Sequence, residues 1–225
     1  MLKNEAFWYK SKFNDHHVAI MKKLLHWPIA NRFPCLDLFR IVILHPDGPK
    51  FFKVVEHGVE RLMELLAVLN DKDAPEPASM LAMQCISNMF KWPAGEFVLR
   101  RKREMVLGIV CGWLAHKNKN IRKAAATIAL NYSVVLLGET DPEAKEEGLM
   151  QLLTAASNED NITVSKKAQD WNTLHRSLTA LGNVLVSGEK GTLNEELVGF
   201  AKELGVKTII NGLAIPASEA PAKEI

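Results

Sequence analysis

The sequence predicts an all-α chain, an armadillo-like superhelix of stacked helical hairpins, on three observations. Alternating β-branched runs closed by Asn-Gly or Asp-Gly turns are missing, and the one Asp47-Gly48 pair lies between Pro46 and Pro49 in a loop. Three segments with small apolar faces carry an asparagine in the same setting: MLAMQCISNMF (Asn88), KAAATIALNYS (Asn131) and HRSLTALGNVL (Asn183). These asparagines recur after about 43 and then 52 residues, close to the period of armadillo-like arrays.

In chain order, residues 1–15 (MLKNEAFWYKSKFND) are aromatic but aperiodic and read as an N-terminal arm or linker remnant. Asn14 or Asp15 caps a first helix running to Trp27, with Val18, Met21, Leu24 and Leu25 on one side. Pro34 suits a first helical turn and opens FPCLDLFRIVIL. FFKVVEHG and GVERLMELLAVLN predict a short and a longer helix, and DKDAPEPA (71–78) a loop. The Asn88 helix stops at Trp92-Pro93, and one long helix is expected from Glu96 to His116. Asn118 or Asn120 caps the Asn131 helix, and Thr140-Asp141-Pro142-Glu143 opens the next with acids at its positive end. SNEDNIT (157–163) reads as a loop before the Asn183 helix. Thr192 with Glu195 forms a capping box, and Gly205 separates that helix from VKTIINGL. Residues 16–213 form one domain on this reading, and 214–225 a disordered tail.

The composition, 48% hydrophobic and 24% charged, is that of a globular protein, and a net charge of +2 gives no whole-molecule attraction to nucleic acid. Cys35, Cys85 and Cys111 lie in apolar stretches without a CxxC pair, which fits a reducing compartment, cytoplasmic and nuclear. The longest apolar runs, 105–115 and 128–137, are too short to span a bilayer. GxSxG, HExxH and Walker motifs do not occur, and His16-His17 occupy adjacent positions that face different sides of a helix. No catalytic residue, metal or cofactor is expected.

The binding candidates are amides and cations. Asn88, Asn131 and Asn183 each offer a donor and an acceptor to an extended peptide backbone, against the plainer reading that they bridge neighbouring helices. Arg176 has no carboxylate three or four residues away, whereas Arg40 has Asp37. Either guanidinium suits bidentate capture of a carboxylate. Lys119, Arg122 and Lys123 stand at a helix N-terminus, where each cation costs about 0.3–1 kcal/mol unless an acidic partner is present.

At FPCLDLFRIVILHP, NKNIRKAAATIALNYSV, LHRSLTALGNVL and AKELGVK the chain resembles the PUL domain, the C-terminal domain of the phospholipase-activating-protein (PLAA) family. The resemblance implies about six helical repeats. It also implies a partner, the acidic, tyrosine-bearing C-terminal tail of the valosin-containing AAA+ ATPase, held in a basic concave groove by arginines. By motif these are Arg40 of LDLFR and Arg176 of LHRSLTALGN, with Asn131 inside LNYS. The family implies a role in ubiquitin-dependent degradation. Met83-Gln84 departs from the arginine expected near that position.

The sequence therefore reads as a non-catalytic adaptor in which Arg40 and Arg176 clamp carboxylates, Asn88, Asn131 and Asn183 hold the backbone, and Lys119, Arg122 and Lys123 attract the ligand at longer range. A neighbouring domain of the same chain is a further partner, suited by Phe7, Trp8, Tyr9 and Phe13. The second reading is an anionic-lipid or membrane-trafficking module using Arg100–Arg103 and HKNKNIRK as a polybasic face.

Overall fold

The computed structural model describes residues 10–188, 192 and 194–211, and among them every regular element is helical. The tail assigned to 214–225 and the arm residues Phe7, Trp8 and Tyr9 lie outside the described residues. The chain divides into two compact units, Met1–Val110 and Cys111–Ile225.

In the first unit, α1 (Asp15–Leu25) is closed at its start by a capping box between Asn14 and His17. The arm is tied down ahead of it. Phe13 donates its backbone N–H to Asp47 Oδ2 at 2.7 Å, accepts from Lys50 Nζ at 2.6 Å, and lays its ring 4.5 Å from that of buried His45. α2 (Phe33–Val42) opens on Pro34 as expected. FFKVVEHG does not form a helix of its own. A 3-10 turn takes Gly48–Phe51, and α3 (Val55–Asn70) runs straight through Gly58. That glycine marks the close approach of α3 to α5 (Pro93–Arg101), since a Cβ there would stand 2.7 Å from Val98 Cγ2.

α4 (Glu76–Met89) lies parallel to α2. Cys85 Sγ donates to the Leu36 carbonyl, Asn88 Nδ2 to that of Arg40 and Trp92 Nε1 to that of Ile43, so both helices climb together at separations of 48–49 residues. The long helix expected from Glu96 to His116 is instead three pieces: α5, α6 (Arg103–Val110) and a 3-10 turn at Cys111–Trp113. Lys102 leaves the helical region at φ −117°, ψ 21°. The break puts Arg100, Arg101 and Lys102 at a negative helix end and Glu104 in the first turn of α6, an arrangement both dipoles favour. The core here is Leu36, Phe39, Ile43, Phe51, Phe52, Leu62, Leu65 and Met83, all but excluded from water.

The second unit repeats the theme. α7 (Lys119–Leu137) and α10 (Trp171–Leu185) are parallel, joined near their starts by Arg122–Asp170 and further along by Asn183–Ser133, at separations of 48 and 50 residues. Ala126 and Ala129 share the face of α7 that carries Arg122 and Ser133, and with Ala180 of α10, also buried, they leave little side-chain bulk between the helices. α8 (Pro142–Ala156), capped by Asp141, and α9 (Glu159–Lys167) make the return path. α9 overturns the loop expected at SNEDNIT: Asn158 is its N-cap, accepting from the Asp160 N–H, so those polar residues start a helix. Between α9 and α10, Gln169 adopts φ +50°, a left-handed conformation unusual for a side chain with a Cβ. Asn194, not Thr192, caps α11 (Glu195–Glu203), accepting from Leu197 N–H. Gly205, at φ +68°, ends it before α12 (Val206–Asn211).

Candidate functional site

Arg40 and Asn88 come together in the first unit. Arg40 projects from α2 beside α4, and its Nε and Nη2 both reach Asp37 Oδ1, at 2.8 and 2.6 Å. Asn88 donates one amide N–H to the Arg40 carbonyl at 2.7 Å, and its carboxamide oxygen makes no bond among the described residues. The plain reading of Asn88 as a bridge between helices therefore holds, and the bridge leaves an acceptor unspent. Met83 is fully buried and Gln84 half-buried, so no cation supplements Arg40 from that turn of α4.

In the second unit, α7 presents an exposed or half-exposed stripe at helical spacing: Lys119, Lys123, Thr127, Asn131, Val134. α10 presents a matching one, Asn172, Arg176, Thr179, Asn183, Val186. Both threonine hydroxyls donate to the carbonyl four residues earlier, Thr127 to Lys123 at 2.7 Å and Thr179 to His175 at 2.8 Å. Because α7 and α10 are parallel, like chemistry lies beside like: cations near the starts, hydroxyls and amides in the middle, exposed valines toward the ends.

Arg176 is half-buried and has no carboxylate partner among the described residues. Its Nη1 donates to the Asn172 carbonyl at 3.0 Å and approaches Asn172 Oδ1 at 3.5 Å. Both bonds are to neutral acceptors one turn back, so among the described residues its charge is uncompensated. Lys119 and Lys123 are exposed and form no ion pair among the described residues. Asn183 donates to Ser133 Oγ at 3.0 Å, again a bridge, with no bond to its carboxamide oxygen among the described residues. Asn131 is half-buried on the same stripe as Lys123 and Thr127.

Arg122 does not belong with these cations. It is 1% exposed, its Nη2 pairs with Asp170 Oδ2 at 2.9 Å, and its Nη1 donates to the carbonyls of His116 and Lys117 at 2.8 and 3.0 Å. It is a clamp within the fold, and the helix-dipole cost read from its position is met by Asp170 rather than by a ligand. The proposed polybasic face is thinned as well: Arg122 is withdrawn from HKNKNIRK, and Arg100 Nε is paired with Glu96 at 2.9 Å. Among the described residues, no helix is long and apolar enough to cross a membrane.

Sequence reasoning missed Asp170, Thr179 and the valines. A signal for the last three was present, because the spacing that relates Asn131 to Asn183 also relates Thr127 to Thr179 and Val134 to Val186. Asp170 had none, since nothing local distinguishes an N-cap that also grips an arginine 48 residues away.

Comparison with known proteins bears on what this surface serves. The PUL domain family profile matches residues 3–225, nearly the whole chain. The chain is 31% identical over 188 residues to a Xenopus laevis phospholipase A-2-activating protein, covering 84% of this chain and 22% of that protein. It is 27% identical over 143 residues to a Caenorhabditis elegans ubiquitin fusion degradation protein 3 homolog, covering 61% of this chain and 17% of that protein. The chain thus spans about a fifth of the length of these relatives.

Proposed function

Because the chain belongs to the PUL domain family, we propose that it is a non-catalytic adaptor that binds an extended acidic peptide, the C-terminal tail of the valosin-containing AAA+ ATPase, in the ubiquitin-dependent degradation pathway of cytoplasm and nucleus. The observation that carries this reading is the guanidinium of Arg176, half-buried, without a carboxylate partner among the described residues, on one stripe with the amide of Asn183 and beside the stripe of Lys119, Lys123 and Asn131. A planar fork of that kind takes a carboxylate bidentately. The preformed helical surface leaves most of the ordering cost with the peptide. Arg40 takes a secondary part, since a ligand carboxylate there competes with Asp37 for the same nitrogens. The name of the Caenorhabditis elegans relative supports the degradation pathway. The lipid-binding reading has less support, because Arg122 and Arg100 are already engaged.

Calorimetry with the acidic tail peptide tests the proposal. Micromolar binding, about −8 kcal/mol, is expected, weakening as salt rises. Arg176→Ala abolishes it with the far-ultraviolet spectrum unchanged, and Arg40→Ala weakens it less. Equal affinity of Arg176→Ala and the parent chain removes Arg176 from the site and the proposal with it.

A further inference from the structure

The exposed ends of the two stripes have no part in capturing carboxylates, yet Val134 is 57% exposed, Val186 41% and Leu137 37%. Leu137 and Val186 also line a cleft of about 710 Å³ together with Leu149 and Pro142, and Lys145, Glu146 and Glu196 stand in its wall. Three large aliphatic side chains held in water beside a cleft cost hydration free energy, and a ligand side chain that covers them recovers it.

Their position relative to the amides is set by the helices. Asn183 is level with Ser133 through their hydrogen bond, and Asn131 lies two residues before Ser133, about 3 Å along the axis. The two amides therefore form a short row across α7 and α10. On one side of the row stand Arg176 and Lys123, about 10 and 12 Å back along their helices; on the other stand Val186 and Val134, each about 4.5 Å forward. A backbone lying along the row runs across the helices. Successive side chains of an extended peptide point to opposite sides, so one set faces the cations and the other the valines.

We propose that the Cys111–Ile225 unit recognises an acidic peptide in which carboxylate and aliphatic side chains alternate, the acids toward Lys123 and Arg176 and the aliphatic groups toward Val134, Val186 and the Leu137 cleft. This specificity rests on the peptide-binding reading given above and adds to it a residue pattern. Charge complementarity fixes which side of the strand faces which zone.

Two peptides of identical composition, one alternating aspartate with leucine and the other with the aspartates and leucines in separate blocks, are titrated into the full chain by fluorescence anisotropy. The alternating peptide is expected to bind about tenfold tighter, the lower end of what burying a leucine side chain is worth. The double variant Val134→Ser/Val186→Ser removes only exposed side chains. It erases the preference while keeping the affinity for an aspartate–serine peptide. Equal binding of the two leucine peptides to the parent chain, with the aspartate–serine peptide also bound, overturns the pattern and leaves the adaptor reading standing. Failure of all three peptides to bind overturns both.

Discussion

Replacing Arg122 by methionine isolates the one charged contact that locks α7 to α10. The guanidinium and the Asp170 carboxylate are 2% and 7% exposed, and removing one partner of a buried ion pair costs about 3–5 kcal/mol because the other charge stays behind. Two features place this pair at the lower end. Asp170 retains the N–H and hydroxyl of Thr173, at 3.3 and 2.8 Å. Arg122 Nε is buried without a hydrogen-bond partner, so methionine relieves one unmet donor. The expected loss is therefore about 3 kcal/mol, a large share of the 5–15 kcal/mol typical of a folded domain. Replacing both residues, Arg122→Met with Asp170→Leu, removes both charges; what it still costs is the α10 cap, about 1 kcal/mol, and the two bonds from Arg122 to the His116 and Lys117 carbonyls. The double variant should be more stable than the single one. Urea titration gives the global values, and hydrogen exchange of α7 and α10 amides assigns the loss to this unit. A loss below about 1 kcal/mol for Arg122→Met, or a double variant as unstable as the sum of the two single ones, refutes the clamp.

Two further outcomes follow from local geometry. Gln169 at φ +50° lies in the left-handed region, so Gln169→Gly should raise stability by about 0.5–1 kcal/mol after the added freedom of the unfolded chain is deducted; a lower melting temperature for the glycine variant contradicts this. At Asp47, burial works to raise the carboxyl pKa, but the Phe13 N–H and Lys50 outweigh it and hold it below 3.8. A depressed carboxylate contributes stability that is complete above its unfolded pKa and lost as pH falls through the folded one. Hydrogen-exchange protection of the Phe13 amide should thus weaken below pH 3.8, and a protection profile that does not change there counts against Asp47 as the anchor of the arm.

The helical class was legible because small apolar faces recur at helical spacing, and caps such as Asn14, Asn118 and Asp141 fell where local hydrogen bonding requires them. What failed were the places where one chemistry serves two structures. Asn and Asp both make loops and start helices, so the SNEDNIT segment read as a loop although Asn158 begins α9 there. The apolar run from Met105 to Ala115 has nothing that marks its interruption; the end of α5 is set by where Arg100, Arg101 and Lys102 best meet a helix terminus. Arg122 was misread for a similar reason. Its burden as a cation at an N-terminus was visible, but the carboxylate that relieves it comes from α10.

Bridging between helices does not exclude the binding role proposed for the amides. Asn88 and Asn183 each spend one N–H on the preceding parallel helix, on the Arg40 carbonyl and on Ser133 Oγ. That bond fixes the rotamer, so the remaining oxygen and N–H are held in one direction before any ligand arrives. A freely rotating asparagine would surrender side-chain entropy on binding, about 0.5–1.5 kcal/mol for each group immobilised; here folding has already met that cost. The arginines divide by the same logic. Arg40 is oriented by Asp37 and also neutralised by it, whereas Arg176 is oriented by Asn172, whose carbonyl and amide oxygens carry no net charge. Orientation without neutralisation is what a carboxylate receptor needs, and among the described residues Arg176 meets that condition, which is why the proposed function rests on it.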